Sequence, residues 1–416
     1  MAEGSPKLDE LDDEDDIENF EVPSSKPEEF RPRPNPSQPI NPVTPVTPVK
    51  ICAHELAKEF CLPTGIAEEF IKSTETLARR YWLIDNSASM TSQDGHRYMN
   101  DSDGGGHRMD RSTRWDELKD TLHFVGRMAI KLQAWTEFRL INKPPNHSGY
   151  IRLGLGENDE VDLLMKFLET IPLGHTPLCT CLKNLENDIK RHAEQVKDLE
   201  GKYICVVIST DGEPTDVAQS KWQETVVQIF INLLHKLANG VKTHILIRPC
   251  TDVDNIVKFW NDIDKNLDAS SKGFDEFSLD VLDDLAGECK DVMDKTPWLT
   301  YGPELHRLRE WGVLGRIFDD IDESPINIAN LVDIIGIIFG SQVTDTLPPP
   351  QGQKKDSWGK FLQHVSVAQD NLKERGNTFN AVKNEITPWI DLKKLDEKFK
   401  PKKKKSFTRL ICYSDI

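Results

Sequence analysis

The chain has 416 residues, of which 38% are hydrophobic and 29% are charged, and its net charge is −17 at pH 7. These proportions are typical of a soluble protein with two or three domains, or with one large domain and tails. Because binding to nucleic-acid phosphates depends on a basic surface, the acidic balance argues against a nucleic-acid partner for the whole molecule.

The N-terminal sequence predicts a disordered arm over residues 1–49. Residues 1–22 hold ten acidic residues and one lysine, and residues 23–48 hold nine prolines, so neither stretch can bury a core. A plain spacer is favoured over a polyproline docking segment. The first 22 residues also lack the apolar run of a signal peptide.

Ordered sequence begins near Ile51, with helices predicted over residues 52–61 and 66–78 and a short buried strand over Arg80–Ile84. The strand leads directly into an Asp-x-Ser-x-Ser motif, formed by Asp85, Ser87 and Ser89. A carboxylate and two hydroxyls on alternate residues can converge on a hard cation such as Mg²⁺. The same residue types also favour a simple polar turn, so this motif alone leaves both interpretations open.

An unusual polar stretch follows, from Thr91 to Thr113, with three consecutive glycines and two histidines. Its position after Ser89 predicts an insertion over the candidate metal face. A lid or an additional source of ligands is one interpretation. A mobile polar loop is the favoured one, because ordering a run of glycines is entropically costly.

The next elements predict an α/β fold. An amphipathic helix over residues 115–132 precedes two strands, Thr136–Ile141 and Tyr150–Leu155, which resemble a hairpin at a sheet edge. Continuous apolar strands then alternate with helices up to Thr243–Ile247. This alternation predicts a doubly wound, Rossmann-like, mainly parallel sheet with helices on both faces.

Two later motifs extend the Asp-x-Ser-x-Ser pattern. Thr176 lies before a predicted helix, and Asp211 follows the apolar strand Tyr203–Ile208. In doubly wound folds, ligands collect beyond the carboxyl ends of the strands, so these segments are expected to meet at one rim.

This order of motifs resembles the von Willebrand factor A (vWA) family and its metal-ion-dependent adhesion site, over roughly residues 77–250. Met90 and the Thr-Pro-Leu and Asp-Gly-Glu-Pro-Thr-Asp sequences are most similar to intracellular members. The resemblance implies that an Mg²⁺ ion, or Mn²⁺ or Ca²⁺, binds to five residues. They are Asp85, Ser87, Ser89, Thr176 and Asp211. It further implies a protein partner that offers a carboxylate to the ion.

The remaining sequence predicts the domain organisation. Residues 50–250 are the vWA-like domain with its lead-in helices, and residues 251–345 are an extension packed on it. Residues 346–416 comprise a linker, a helical segment and a basic tail. The predicted fold is therefore the α/β sheet domain plus a helical C-terminal extension. The longest apolar helix candidate, residues 326–339, contains Asp333 and is too short to span a bilayer.

Enzymatic motifs are absent from the sequence. There is no Walker A lysine motif, no Gly-x-Ser-x-Gly elbow and no His-Glu-x-x-His. We therefore expect a binding module rather than an enzyme. The alternatives are a metal-dependent phosphoryl hydrolase that uses His96, His107 or His175, and a metal-free scaffold. The eight cysteines form no Cys-x-x-Cys pair, which favours reduced thiols and a cytoplasmic or nuclear location.

Overall fold

The structure is a computed structural model, and it describes most of the chain beyond residue 50. The described residues are 51–101, 106–145, 148–193, 201–216, 223–238, 241–251, 253–270, 277–351 and 357–401. The chain from Pro48 onward forms one compact unit. The predicted arm over residues 1–49 and the basic tail from Lys402 lie outside the described residues.

The helices and strands follow one another along the whole of this unit. The strands are β1 (Leu77–Ile84), β2 (Gly95–Asp101), β3 (Gly106–Ser112), β4 (Thr136–Leu140), β5 (Tyr150–Leu153), β6 (Tyr203–Thr210), β7 (Thr243–Pro249), β8 (Phe277–Val281), β9 (Asn377–Asn380) and β10 (Glu385–Pro388). The helices are α1 (Ala53–Glu59), α2 (Thr64–Thr76), α3 (Arg114–Leu132), α4 (Glu160–Leu168), α5 (Leu178–Ala193), α6 (Gln223–Ala238), α7 (Asp254–Ser270), α8 (Leu285–Lys295), α9 (Pro303–Glu310), α10 (Arg316–Asp320), α11 (Leu331–Phe339), α12 (Ser341–Thr344), α13 (Ser357–Asn371) and α14 (Leu392–Phe399).

A six-stranded sheet with the order β5-β4-β1-β6-β7-β8 lies at the centre of the molecule. Its strands are parallel except for β5, which pairs antiparallel with β4. Trp82 of β1 lies in register between Phe138 of β4 and Val207 of β6. The predicted α/β class, the mainly parallel sheet and the edge hairpin of β4 and β5 are therefore confirmed.

Helices cover both faces of this sheet because alternate side chains of each buried strand point to opposite sides. Trp82 packs in one apolar cluster with side chains of α3 and α4. Its neighbours Tyr81 and Leu83 pack in a second cluster with side chains of α5, α6 and α7. Burial on both faces explains why Tyr81–Ile84 of β1 and Tyr203–Ile208 of β6 are continuous apolar runs in the sequence.

Within the stretch from Thr91 to Thr113, the segments Gly95–Asp101 and Gly106–Ser112 pair as an antiparallel hairpin and not as the irregular loop that was favoured, while residues 102–105 lie outside the described residues. Strands β2 and β3 pair with Tyr98 opposite Met109. Arg97 binds both carboxylate oxygens of Asp120 on α3, at 2.6 and 2.8 Å. This ion pair holds the polar hairpin on α3. The hairpin has no alternating apolar pattern in the sequence, so its strands could not be recognised from the sequence.

The C-terminal region was predicted as a linker, a helical segment and a basic tail, but it also contains strands. Between α13 and α14, the strands β9 and β10 form a second hairpin. Buried Phe379 of β9 packs against Tyr98, with 5.0 Å between ring centroids. This long-range contact stabilises strands of four residues each, which are too short for a clear sequence signal. Upstream, β8 extends the central sheet by pairing with β7.

Among the described residues, no helix is both long enough and apolar enough to cross a membrane.

Candidate functional site

The candidate site lies where β1 and β6 end, side by side, at the carboxyl edge of the sheet. The backbone N–H of Asp85 donates to the Ser209 carbonyl across the two strands, at 2.8 Å. The strand order reverses here, because the chain places β4 on one side of β1 and β6 on the other. Asp85 and Asp211 are therefore brought to one crevice by the sheet itself.

A chain of hydrogen bonds joins three of the predicted metal ligands. The hydroxyls of Ser87 and Ser89 are 3.0 Å apart, and the Ser89 hydroxyl donates to Asp211 Oδ1 at 2.9 Å. Ser87 and Asp211 are buried, whereas Ser89 is exposed. The site is therefore open to solvent on the side of Ser89.

Asp85 forms the buried end of the site, and both of its carboxylate oxygens accept hydrogen bonds. The Ser87 backbone N–H donates to Oδ1 at 2.8 Å, and the Thr210 hydroxyl donates to Oδ2 at 2.7 Å. Burial raises the pKa of Asp85 to about 6, and the negative charge of Asp211 adds to the rise, against the hydrogen bonds that lower it. A cation placed near these carboxylates would relieve this electrostatic cost.

Thr176 lies on a loop that is hydrogen-bonded to the Asp-x-Ser-x-Ser segment. The Ala88 N–H donates to the Gly174 carbonyl at 3.2 Å, and the Leu173 N–H donates to the Asn86 carbonyl at 2.7 Å. The Thr176 backbone N–H donates to the Thr215 hydroxyl at 3.0 Å. The side chain of Thr176 is buried at the rim but takes no part in the hydrogen-bond chain of the other ligands.

Two site residues were missed by the sequence reasoning. Thr210 immediately precedes Asp211, so its place at a strand end was a usable signal. Arg114 had no such signal, because it contacts Asp211 only through the tertiary fold. Its Nη1 donates to Asp211 Oδ2 at 2.9 Å, while Nε and Nη2 donate to Asp94 at 2.7 and 2.5 Å.

Arg114 brings a fixed positive charge to the site. Burial lowers its pKa, but the hydrogen bonds and charges of Asp94 and Asp211 outweigh burial and raise the pKa above its usual range. Conversely, the hydrogen bond to Arg114 lowers the pKa of Asp94. The guanidinium therefore stays charged and offsets one of the two carboxylate charges at the site.

The residue types fit a hard divalent cation, since every candidate ligand atom is an oxygen. In the part of the chain that the structure describes, no three His, Cys, Asp or Glu side chains form a group that could hold a metal ion. An ion bound here would depend on hydroxyl groups and water in addition to two carboxylates.

The three histidines considered for hydrolysis lie in other contacts. His96 is 3.5 Å from Asp284 Oδ2, and the Nδ1 atom of His107 is 2.7 Å from the Tyr98 hydroxyl. His175 is exposed, and its carbonyl accepts a hydrogen bond from Asn142. None of these contacts places an imidazole against Asp85.

Comparison with known proteins does not show a family. Neither a protein-family model nor a curated protein sequence matches the chain. Similar solved structures include two forms of the pilus adhesin SpaC from Lactobacillus rhamnosus GG, one of them in an open conformation, with 14% and 15% identity and a TM-score of 0.31 each. Each match covers 49% of this chain and 28% of the adhesin chain, so this chain spans less than a third of the adhesin's length. At this TM-score, neither likeness supports a statement about function.

Proposed function

We propose that the chain is a vWA-type interaction module that binds an acidic group of a protein partner through a magnesium-type ion. The observation that carries the proposal is the continuous set of oxygen atoms from Ser87 through Ser89 to Asp211, beside the buried carboxylate of Asp85. Thr176 would complete the ligand set from the neighbouring loop. Mn²⁺ or Ca²⁺ could replace Mg²⁺, because all three prefer oxygen ligands.

The arrangement of the sheet supports this proposal. Parallel strands whose order reverses between β1 and β6, with helices on both faces, are what a doubly wound fold requires. We propose on this basis that the fold is doubly wound and Rossmann-like. The candidate ligands then lie where such folds bind their ligands.

The surface beside Ser89 is suited to a protein partner. Ile171 and Leu173, on the loop before Thr176, are 74% and 44% exposed. An ion at the site supplies a coordination position that a partner carboxylate can take. Ile171 and Leu173 would be buried against the partner around the bond between the ion and the partner carboxylate. This apolar contact would supply specificity.

Calorimetric titration with Mg²⁺ and then Mn²⁺ tests the proposal directly. Ser87→Ala removes one ligand oxygen without removing a buried charge, so ion affinity should fall by at least about tenfold while the fold survives. Thr91→Ala is a matched control, because its exposed hydroxyl bonds to the Ala88 carbonyl outside the ligand set. A partner captured from native extract should be lost with a chelator and with Ser87→Ala.

A metal-free scaffold is the second candidate, and the pairing of Arg114 with Asp211 favours it. In that case the guanidinium would serve as the permanent cation of the site. Wild type, Ser87→Ala and Thr91→Ala would then show no ion binding, and partner capture would not depend on a chelator. Either result decides between the two candidates.

A further inference from the structure

A cavity of about 1020 Å³ lies between the α1–α2 connection, the β2–β3 hairpin and the C-terminal β9–β10 hairpin. Its volume is just above the range for small-molecule sites, which is about 300–1,000 Å³. None of the five proposed metal ligands lines it. The cavity is therefore a separate feature from the candidate metal site.

Two pairs of aromatic rings form part of the cavity wall. Tyr98 and Phe379 have ring centroids 5.0 Å apart, and Phe60 and Phe124 have centroids 5.6 Å apart. Each pair joins segments that are distant in the sequence, so the fold assembles these surfaces. Phe379 is buried beneath Tyr98, whereas Tyr98, Phe60 and Phe124 are partly exposed. These three rings suit a planar ligand ring, which can stack on them.

The same wall carries more positively than negatively charged side chains. Among the described residues, Lys58, Lys373 and Arg375 have no carboxylate partner, and Arg375 Nη1 donates to the Leu62 carbonyl at 3.1 Å. The other two lining arginines are neutralised, Arg97 by Asp120 and Arg307 by Glu310. Two further carboxylates line the wall, Glu304, which accepts a hydrogen bond from Thr378, and Glu374, so the lining has five basic Lys and Arg side chains against three carboxylates. A cavity with an excess of basic side chains attracts anions. It differs in this from the rest of the chain, whose net charge is −17.

Backbone strain also concentrates at this cavity. Cys61 and Lys373 each have φ of 55°, in the left-handed region, and both line the wall. Such a conformation is unfavourable for a residue with a side chain. For Cys61 the structural role is to end α1, since the Leu62 N–H donates to the Ala57 carbonyl at 2.9 Å. The result is an exposed thiol and an exposed ammonium at the edge of the cavity.

We propose that this cavity binds a nucleotide-class anion, with the phosphate groups against Lys58, Lys373 and Arg375 and the planar base against the aromatic side chains. Arginine and lysine both suit phosphate oxygens, the former by paired hydrogen bonds and the latter as a point charge. Neither the metal site nor its ion takes part.

Protection of Cys61 from alkylation tests the site with an internal control. Cys52 and Cys61 are both free and exposed at opposite ends of α1, but only Cys61 lines the cavity. The full chain would be treated with iodoacetamide in the presence of EDTA, with or without millimolar ATP or GTP, and each thiol followed by peptide mass spectrometry. We expect nucleotide to slow alkylation of Cys61 at least fivefold and to leave Cys52 unchanged.

Two results would overturn the proposal. One is an unchanged rate at Cys61 with both nucleotides. The other is protection by inorganic phosphate equal to that by ATP, because the aromatic wall would then contribute nothing.

Charge variants provide an independent measurement by calorimetric titration with ATP. Lys373→Gln and Arg375→Gln should each weaken ATP binding by about tenfold, because each removes one phosphate-facing charge. Lys383→Gln is the matched control, since Lys383 lies in the nearby β9–β10 hairpin, does not line the cavity and pairs with Glu385. ATP affinity equal to wild type in both cavity variants would contradict the assignment.

Discussion

Arg114 and Asp211 form a buried ion pair at the candidate metal site, with 2.9 Å between Nη1 and Oδ2. The same guanidinium binds Asp94 through its other two nitrogens. Asp94 directly precedes the β2–β3 hairpin, so Arg114 links that hairpin to the site. A divalent ion at the site would compete with Arg114 for Asp211, while Asp94 would keep the released guanidinium paired.

Replacing Arg114 with glutamine should therefore raise the affinity for Mg²⁺. At about 4 Å, a unit positive charge and a divalent ion repel each other by about 2 kcal/mol even at the dielectric constant of water, so removing the guanidinium predicts a gain in affinity of about thirtyfold. Calorimetric titration of the folded variant measures the change.

Arg97→Gln is the control for this experiment. Arg97 makes the same kind of two-bonded pair, between the hairpin and Asp120, but does not touch Asp211. The Arg97→Gln substitution should loosen the β2–β3 hairpin and leave the affinity for Mg²⁺ unchanged. Lower affinity in Arg114→Gln than in Arg97→Gln would mean that Arg114 supports the site instead of competing with an ion.

Thr210→Val should destabilise the protein by about 1–3 kcal/mol, because it leaves Asp85 Oδ2 without its hydroxyl donor in a buried environment. The shape of the side chain is nearly unchanged, so the loss reports on the hydrogen bond. Thr210→Ser keeps the hydroxyl and should retain most of the stability. Denaturant unfolding of both variants gives the comparison, and equal stabilities would show that the hydroxyl is not needed by Asp85.

Gly65→Ala should be strongly destabilising because α2 and α11 approach closely there. A Cβ atom at Gly65 would lie 2.5 Å from the Gly340 nitrogen and 2.6 Å from the Ile337 carbonyl oxygen, and backbone atoms cannot move aside easily. Overpacking of this kind costs about 1–3 kcal/mol, and here we expect the upper end. Gly212→Ala is the control, since its Cβ would meet nothing within 4 Å. Equal unfolding temperatures for the two variants would contradict the close approach of α2 and α11 at Gly65.

Acid should destabilise the protein through His306. Burial, with the nearby charges of Arg248, Arg307 and Arg309, lowers the pKa of His306 to about 3 against the pull of Glu310. In the unfolded chain His306 takes up a proton near pH 6.5, whereas in the folded chain it stays neutral. The contribution of His306 to the free energy of unfolding is therefore fully present above pH 6.5 and decreases as the pH is lowered further. Between pH 7.5 and 5 the loss from this group is about 2 kcal/mol.

The His306→Gln variant isolates this contribution, because carboxylates titrate alike in both proteins. Denaturant unfolding at the two pH values should show a smaller pH dependence in the variant than in wild type. The same loss of stability in both proteins would assign the acid sensitivity to other groups.

The local sequence pattern was sufficient to predict a structural element wherever the same environment recurs along that strand or helix. The apolar runs ending at Ile84 and Ile208 predict strands buried on both faces, and the polar residues after them predict where a site would lie. Asp85 and Asp211 follow from this reasoning, because parallel strands bring their carboxyl ends to one edge.

Only the tertiary structure decided the features that rest on contacts between distant segments. The β2–β3 hairpin is polar and depends on ion pairs to α3, such as Arg97 with Asp120. The pairing of Arg114 with Asp211 spans 97 residues, and the ring contact of Tyr98 with Phe379 at the cavity joins segments even farther apart. Such contacts have no period in the sequence, because their energy comes from side chains that become neighbours only after the sheet and its helices have formed.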